Sequence, residues 1–369
     1  MSAKTVFFTG FPGFIGTRII EKLMKENEDI KIYALVLRSM HKAAQKIIKQ
    51  HKTFENRIEL LVGDISKPDL GLSPEQYSEL TNKTTEIFHL AAIYNLEVPK
   101  NVAWKVNVIG TSNMLKFALK CPNLFVFVFF SSIVAAGKLK GDIFEDKLET
   151  NCEFHFNHYE QTKFASEVLV RKYFKRLPII IIRPGAVVGE SKTGITDKFD
   201  GFYYALSFAS ILKRFPIWMP HTHFNVPMVP VDYIADATCY VSTQEDCIGH
   251  CFQLGEFELT ANQFLAYVCG KDETGTKILI PTTLVEFLIK LPFYNYIFLN
   301  KVIKTIMKKG FHMPAELLEA ADSYNFCRYR VDNRKYLERA GISCPKFKDY
   351  VQYIMAFYVK NKDNPLLQR

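Results

Sequence analysis

A tyrosine and a lysine four residues apart, Tyr159 and Lys163, are the pair in this sequence best suited to moving a proton. On a helix, positions i and i+4 share a face. A phenol is a poor acid or base at neutral pH, with a reference pKa of about 10. An ammonium one turn away, together with the positive ring of an oxidised nicotinamide, favours the phenolate and predicts a lowered value. Such a pair occurs by chance in most proteins, so its weight comes from its neighbours. Phe129-Phe130-Ser131-Ser132 closes an apolar stretch upstream. A serine hydroxyl at a strand end can hydrogen-bond a carbonyl oxygen and stabilise charge developing on it. Without Tyr159, a local cap or turn would be the favoured reading of the two serines.

A second constellation sits at the start of the chain. Thr9-Gly10-Phe-Pro-Gly13-Phe-Ile-Gly16 has GxxGxxG spacing between an apolar strand and an amphipathic helix. Gly10 permits a tight turn, Gly13 lets the backbone approach a pyrophosphate, and Gly16 allows close helix–strand packing. The helix N-terminus then offers unpaired N–H groups and a positive dipole end. Three glycines alone are a weak signal, but the strand–turn–helix context strengthens it. The next strand ends in Leu35-Val-Leu-Arg38, with Lys42 nearby. An acid at that place suits the ribose hydroxyls of NAD. An arginine suits a 2′-phosphate, which its planar fork can pair. NADPH is therefore favoured over NADH; the plainer reading is that Arg38 only ends the strand in solvent.

The elements that must hold these residues alternate over the first ~190 positions. Strands are expected at Thr5–Thr9, Ile30–Leu37, Ile58–Val62, Glu86–Leu90, Leu124–Phe130 and Pro178–Ile182, with a first helix at Thr17–Lys25. Short apolar strands separated by helical crossovers predict a parallel sheet covered on both faces. The fold class is α/β, a doubly wound Rossmann sheet with a smaller, mostly helical C-terminal part. Residues 1–190 are expected to form the NADP(H)-binding domain, with 225–255 packing back on it. Residues 191–224 and 256–369 are expected to form the substrate-binding or lid region, with a helix at Gly201–Phe215 and mostly helix from about 257 onward.

Composition sets the bounds. The 369 residues are 48% hydrophobic and 23% charged, enough for a large core and an appendage. The net charge of +9 is compatible with anionic ligands or a solvated lysine surface. No dense basic block with interleaved aromatics suggests nucleic-acid binding. The eight cysteines are scattered, which argues against a disulfide scaffold. Cys247-Ile-Gly-His250-Cys251 is not followed by a second ligand pair at zinc spacing, so no metal is expected. The first strand starts almost at once without a leader pattern, which predicts a cytoplasmic protein.

Taken together, the motifs resemble an extended short-chain dehydrogenase/reductase over about the first 240 residues. The pieces, in the family's order, are the Thr9–Gly16 turn, Gly63-Asp64-Ile65, His89-Leu-Ala-Ala92, Asn107-Val-Ile-Gly-Thr111, Ser131-Ser132, Tyr159–Lys163 and Arg183-Pro-Gly185. The resemblance implies that Thr9, Phe14 and Ile15 join the glycines as cofactor contacts. It implies that Asp64 and Ile65 contact the adenine and that Ala91 and Ala92 line the cleft. Asn107 would support the active-site helix and a proton relay, and Lys163 would also hold the nicotinamide ribose. Pro184 and Val187 would border the nicotinamide amide. Ser132 aligns best with the catalytic serine because it lies five residues before Gly137, with Ser131 the alternative. Ala136 stands where sugar-nucleotide epimerases carry a tyrosine, which weighs against an epimerase or dehydratase.

Within the family the chain is most similar to fatty-acyl and thioester reductases, on Phe88-His-Leu-Ala-Ala92 followed by Tyr94, the Arg38 strand end, a long helical C-terminal part and Cys327–Leu337. The implied partner is an acyl thioester or another small molecule. Ketone and aldehyde reductases of dihydroflavonol-reductase or hydroxysteroid type remain the alternative, and a non-catalytic NADP(H)-binding regulator has no need of Ser132, Tyr159 and Lys163 together. Residues 284–310 are apolar with interleaved lysines, broken by Pro292, and too short on either side to span a bilayer. They suggest a lid helix over the pocket, with peripheral membrane contact the sharper version. A homodimer is a further expectation from relatives.

Overall fold

The computed structural model describes residues 4–94, 98–136, 141–148, 157–199, 203, 206, 217–218, 225–269, 278–279 and 327–367. The expected stretch 284–310 lies outside them, as does most of the helix expected at 201–215.

Seven parallel strands form the central sheet: β1 Thr5–Thr9, β2 Lys31–Val36, β3 Ile58–Val62, β4 Glu86–His89, β5 Val126–Phe130, β6 Ile179–Pro184 and β7 Cys251–Leu254. Their order is β7-β6-β5-β4-β1-β2-β3. The chain therefore starts in the middle, winds out to β3, then crosses back through β4 to the other edge. This is the doubly wound topology, whose ligand crevice lies where the winding reverses, between β1 and β4. The strands are apolar throughout because both faces are covered. Alternate residues enter two cores. Phe8, Val128, Phe130, Ile180 and Ile182 pack with Ile19 and Leu23 on one face. Phe7, Phe127, Phe129, Ile179 and Ile181 pack with Met114, Leu115 and Phe117 on the other.

The helices follow the crossovers. They are α1 Phe14–Glu26, α2 His41–Gln50, α3 Pro74–Lys83, α4 in three consecutive pieces (Lys100–Ala103, a π-turn Trp104–Ile109 and Gly110–Ala118), α5 His158–Arg171 and α6 Val231–Val241. Beyond the sheet come α7 Ala261–Cys269, α8 Arg334–Glu338 and α9 Phe347–Asn361. The sixth strand runs two residues further than its apolar run suggests, carrying Arg183 into the sheet. The seventh strand was not foreseen: Cys-Phe-Gln-Leu is short, and only pairing with Ile181–Pro184 makes it a strand.

The mostly helical reading beyond 257 has two exceptions among the described residues, the first being the two-residue strand Ile278–Leu279, paired in parallel with Ile217–Trp218. The second is Cys327–Arg330, a strand paired in parallel with Gly141–Phe144. Its sequence does not demand this; Tyr329 packs on Ile143 and Ala136, so a remote segment supplies the reason. After it, α8 packs on α6. Its Leu337 is 2% exposed and lies in the same core as Ile234 and Phe252. Helix α9 forms a separate core with α7, where Phe264 stacks on Phe347 with ring centroids 5.5 Å apart.

Candidate active site

The phosphate turn is built as its spacing predicts. Gly10 has φ +98°, and a Cβ there would lie 2.7 Å from the Leu90 Cβ and 3.0 Å from the Ala91 nitrogen. Only glycine adopts that conformation without strain. Gly13 caps α1 without any side-chain hydrogen bond, and the first turn holds no acid. The N–H groups of Phe14, Ile15 and Gly16 find no partner among the described residues. Such orphan donors at a helix N-terminus fit an anion. The Thr17 hydroxyl in the same turn is buried and likewise unpartnered.

The neighbouring strand ends carry the other expected contacts. Val36 pairs with Val62, so Arg38 and Asp64, two residues beyond each, emerge side by side at the carboxyl edge. Arg38 is exposed, and its guanidinium makes no hydrogen bond or ion pair among the described residues. Asp64 accepts the Ser66 N–H at 2.9 Å, and Ile65 is buried against Gly110. Across the switch, Ala91 donates its N–H to the Thr9 hydroxyl at 3.2 Å, while Ala92 is exposed beside it. Pro184 ends β6, and Val187 sits in a short strand paired with Met228–Pro230. The residues offered for a dinucleotide thus line one edge, and the uncapped turn fits its phosphates.

Helix α5 brings the proton-moving pair to the same edge. Asn157 caps it, its side chain accepting the Glu160 N–H at 2.9 Å. Tyr159 follows in the first turn, 9% exposed. Its hydroxyl lies near the Ser132 side chain, which favours the phenolate. Its ring meets Tyr94 edge-on at 5.1 Å, and Tyr94 is half exposed. One turn on, the Lys163 ammonium donates to the Phe130 carbonyl at 2.6 Å and packs over the Phe129 ring. This geometry changes the expectation for the phenol. Burial pushes Tyr159 up to about 12, against the opposing pull of nearby Ser132. The Lys163 charge is spent on a carbonyl at the end of β5 rather than on the phenol oxygen. Burial also pulls Lys163 down to about 8, opposed by Glu167.

The two serines part company. The Ser131 hydroxyl donates to Glu167 Oε2 at 2.6 Å, deep in the sheet edge. Ser132 is half-buried, next to Tyr159, and accepts the Val134 N–H at 3.4 Å. Asn107 lies in the π-turn of α4. Its Nδ2 donates to the Thr162 hydroxyl at 2.9 Å, one residue before Lys163, and its Oδ1 accepts the Ile93 N–H at 2.8 Å. It braces the helix that carries the pair.

A row of hydroxyls, not foreseen from the sequence, joins the turn to that helix. Thr111 Oγ1 donates to the Asn107 carbonyl at 2.7 Å, and so must accept from His89 Nε2 at 3.0 Å. His89 Nδ1 then accepts from the Thr9 hydroxyl at 2.8 Å, which leaves Thr9 Oγ1 able to take the Ala91 N–H. Every donor has one acceptor only if His89 is neutral. Burial first, and Lys163 second, hold it down to about 3. Ser166 Oγ closes the row on the Asn107 carbonyl at 2.7 Å. The available signal was His89 in an otherwise apolar strand, where a buried polar group needs partners.

The described residues hold no group of three or more His, Cys, Asp or Glu side chains placed for a metal. His250 bonds Asp146 at 2.9 Å and Tyr336 at 3.3 Å, while Cys247 and Cys251 are buried. No helix among the described residues is long and apolar enough to cross a membrane.

Comparison with known proteins agrees with this frame. An aldehyde reductase of Aspergillus flavus is 25% identical over 271 residues, covering 68% of this chain and 26% of that protein. The L-2-aminoadipate reductase of Saccharomyces cerevisiae is 29% identical over 256 residues, covering 62% of this chain and 18% of the relative. The chain thus spans about a quarter or less of the length of these relatives. Among solved structures, the terminal R domain of the myxalamid PKS-NRPS pathway superposes with a TM-score of 0.77 at 23% identity, covering 100% of this chain and 93% of that one. An NRPS reductase domain from Mycobacterium tuberculosis gives 0.68 at 15% identity, covering 98% and 92%. The NAD-binding family model described as male sterility protein matches residues 8–238. With its switch-point cleft and that match over most of its length, the chain belongs to the male sterility protein family, thioester-reductase-like members of the extended short-chain dehydrogenase/reductases.

Proposed function

We propose that this chain is an NADPH-dependent reductase that delivers hydride to a carbonyl carbon, with acyl thioesters as the favoured substrate class. The observation that carries the reading is Tyr159 brought beside Ser132 at the carboxyl edge of the sheet, with Lys163 one turn behind it. The cofactor, when bound, supplies the hydride. Thr9 to Gly16 would hold its pyrophosphate on the α1 N-terminus, with Asp64, Ile65, Ala91 and Ala92 around the adenosine half and Pro184 and Val187 near the nicotinamide. Lys163 would hold the adjoining ribose. The exposed, unpaired Arg38 suits a 2′-phosphate, which favours NADPH over NADH.

Ser132 and Tyr159 would both hydrogen-bond the substrate oxygen. As hydride reaches the carbonyl carbon, its π electrons move to oxygen and Tyr159 gives up its phenolic proton there. A phenol held protonated by burial is in the right state to act as an acid. In a thioester, the resulting hemithioacetal expels a thiol and leaves an aldehyde. Ser132, rather than Ser131, is assigned the oxygen contact because the Ser131 hydroxyl is committed to Glu167. The names of the aldehyde and aminoadipate reductases among its relatives support the carbonyl chemistry.

The test follows NADPH absorbance with purified protein and a panel of acyl thioesters and aldehydes. Tyr159→Phe is expected to lower kcat about 10²–10⁴-fold, the usual worth of a positioned acid, with NADPH affinity retained. Turnover that survives this substitution defeats the mechanism.

A further inference from the structure

The face of α5 that carries Tyr159 and Lys163 continues, at the same four-residue spacing, through Glu167 and Arg171. Glu167 and Arg183 are both 0% exposed. Arg183 grips the Glu167 carboxylate as a fork, Nη2 to Oε1 at 2.5 Å and Nε to Oε2 at 2.9 Å. Arg171 Nε adds a third bond to Oε1 at 2.9 Å, and the Ser131 hydroxyl a fourth to Oε2 at 2.6 Å. Burial alone would raise this carboxyl; the two arginines and Ser131 hold it down to about 2.

Stability is a weak explanation for so complete an arrangement. Four preceding isoleucines show that an apolar residue suits β6, and a buried ion pair is often no better than apolar side chains of the same size. Its place is more telling. Glu167 lies one turn beyond Lys163, whose ammonium is buried and holds a single carbonyl. The titratable groups within one turn of it on its helix are Tyr159, Glu160 and Glu167, and neutral His89 reaches it from β4. Of the two carboxylates, Glu160 is held at the helix start by the Asn157 amide, and Glu167 is the one whose charge acts on the ammonium.

We infer that the Glu167–Arg183 pair is a positioning device for proton transfer: it fastens α5 to the ends of β5 and β6 and sets a fixed negative charge behind Lys163 that keeps the buried ammonium charged. This rests on Tyr159 and Lys163 being the acid pair. As Lys163 loses its proton with rising pH, activity falls, so the pair would set where the alkaline limb of the pH profile lies.

The experiment compares the full chain with Glu167→Gln, Glu167→Asp and the charge-neutral double variant Glu167→Met with Arg183→Met, which avoids stranding a buried arginine. Turnover of octanoyl-CoA and octanal with NADPH is read against pH, and NADPH affinity by fluorescence. The expected result is an alkaline limb moved down by about one pH unit, a tenfold change in proton affinity, in Glu167→Gln, and moved down by less in the double variant, which removes the opposing arginine charge as well. Glu167→Asp should restore part of it, and NADPH affinity should stay within about twofold. An unmoved profile in folded, active Glu167→Gln, or in the double variant should Glu167→Gln not fold, overturns the inference. Tyr159→Phe is run beside them: if it stays active, the acid assignment itself has failed, whatever Glu167 does.

Discussion

Tyr159 and Arg38 show how far single residues can be read. The four-residue spacing identifies Tyr159 and Lys163 as partners, but the direction of the phenol's pKa depends on where the ammonium points. Here it points at the Phe130 carbonyl, and burial decides the outcome. Arg38 is the simpler case, because it stands exposed and uncommitted at the end of β2. Arg38→Ala is expected to weaken NADPH binding by about 10- to 100-fold while changing NADH affinity little. That is the range for a lost charge-assisted hydrogen bond, about 1.5–3 kcal/mol. Fluorescence titration with both cofactors measures it; equal losses for the two would remove the 2′-phosphate role.

Among elements, β1, β4, α4 and α5 are tied by the row from Ala91 through Thr9, His89 and Thr111 to Asn107. The row needs a neutral imidazole, so acid should loosen it. The folded His89 is held near 3 against an ordinary value of 6.5. Its contribution is therefore complete above about 6.5 and is lost progressively as pH falls towards 3. Glu145, raised by burial to about 7, titrates in the opposite sense over part of that window. The difference between wild type and His89→Gln isolates the histidine. Urea midpoints should fall more steeply between pH 7 and 5 in wild type than in the variant; parallel curves would mean His89 is not buried neutral. The phosphate turn offers a second test. Gly10→Ala forces an L side chain into φ +98° and against Leu90, so a loss of more than about 1 kcal/mol is expected in thermal unfolding.

At the scale of the whole molecule, the C-terminal segment is not a detached appendage. Leu337 enters the main core beside β7, and Asn333 Nδ2 donates to the Cys251 carbonyl at 2.9 Å. Leu337→Ala should cost about 2–5 kcal/mol, the range for emptying a buried leucine site. The loss should appear in the same cooperative transition as the nucleotide-binding sheet; two separate transitions would show an independent unit. The sequence alone determined what local rules control. The glycine turn, the tyrosine–lysine spacing and the first six strands were legible because turn chemistry and periodicity act over a few residues. Tertiary structure decided which serine faces Tyr159, why an arginine follows four isoleucines, and that Cys251–Leu254 and Cys327–Arg330 are strands. Each of these depends on a partner beyond the reach of local rules: Glu167 for Arg183, Ile181–Pro184 for Cys251–Leu254, and Gly141–Phe144, in a separate two-stranded sheet, for Cys327–Arg330.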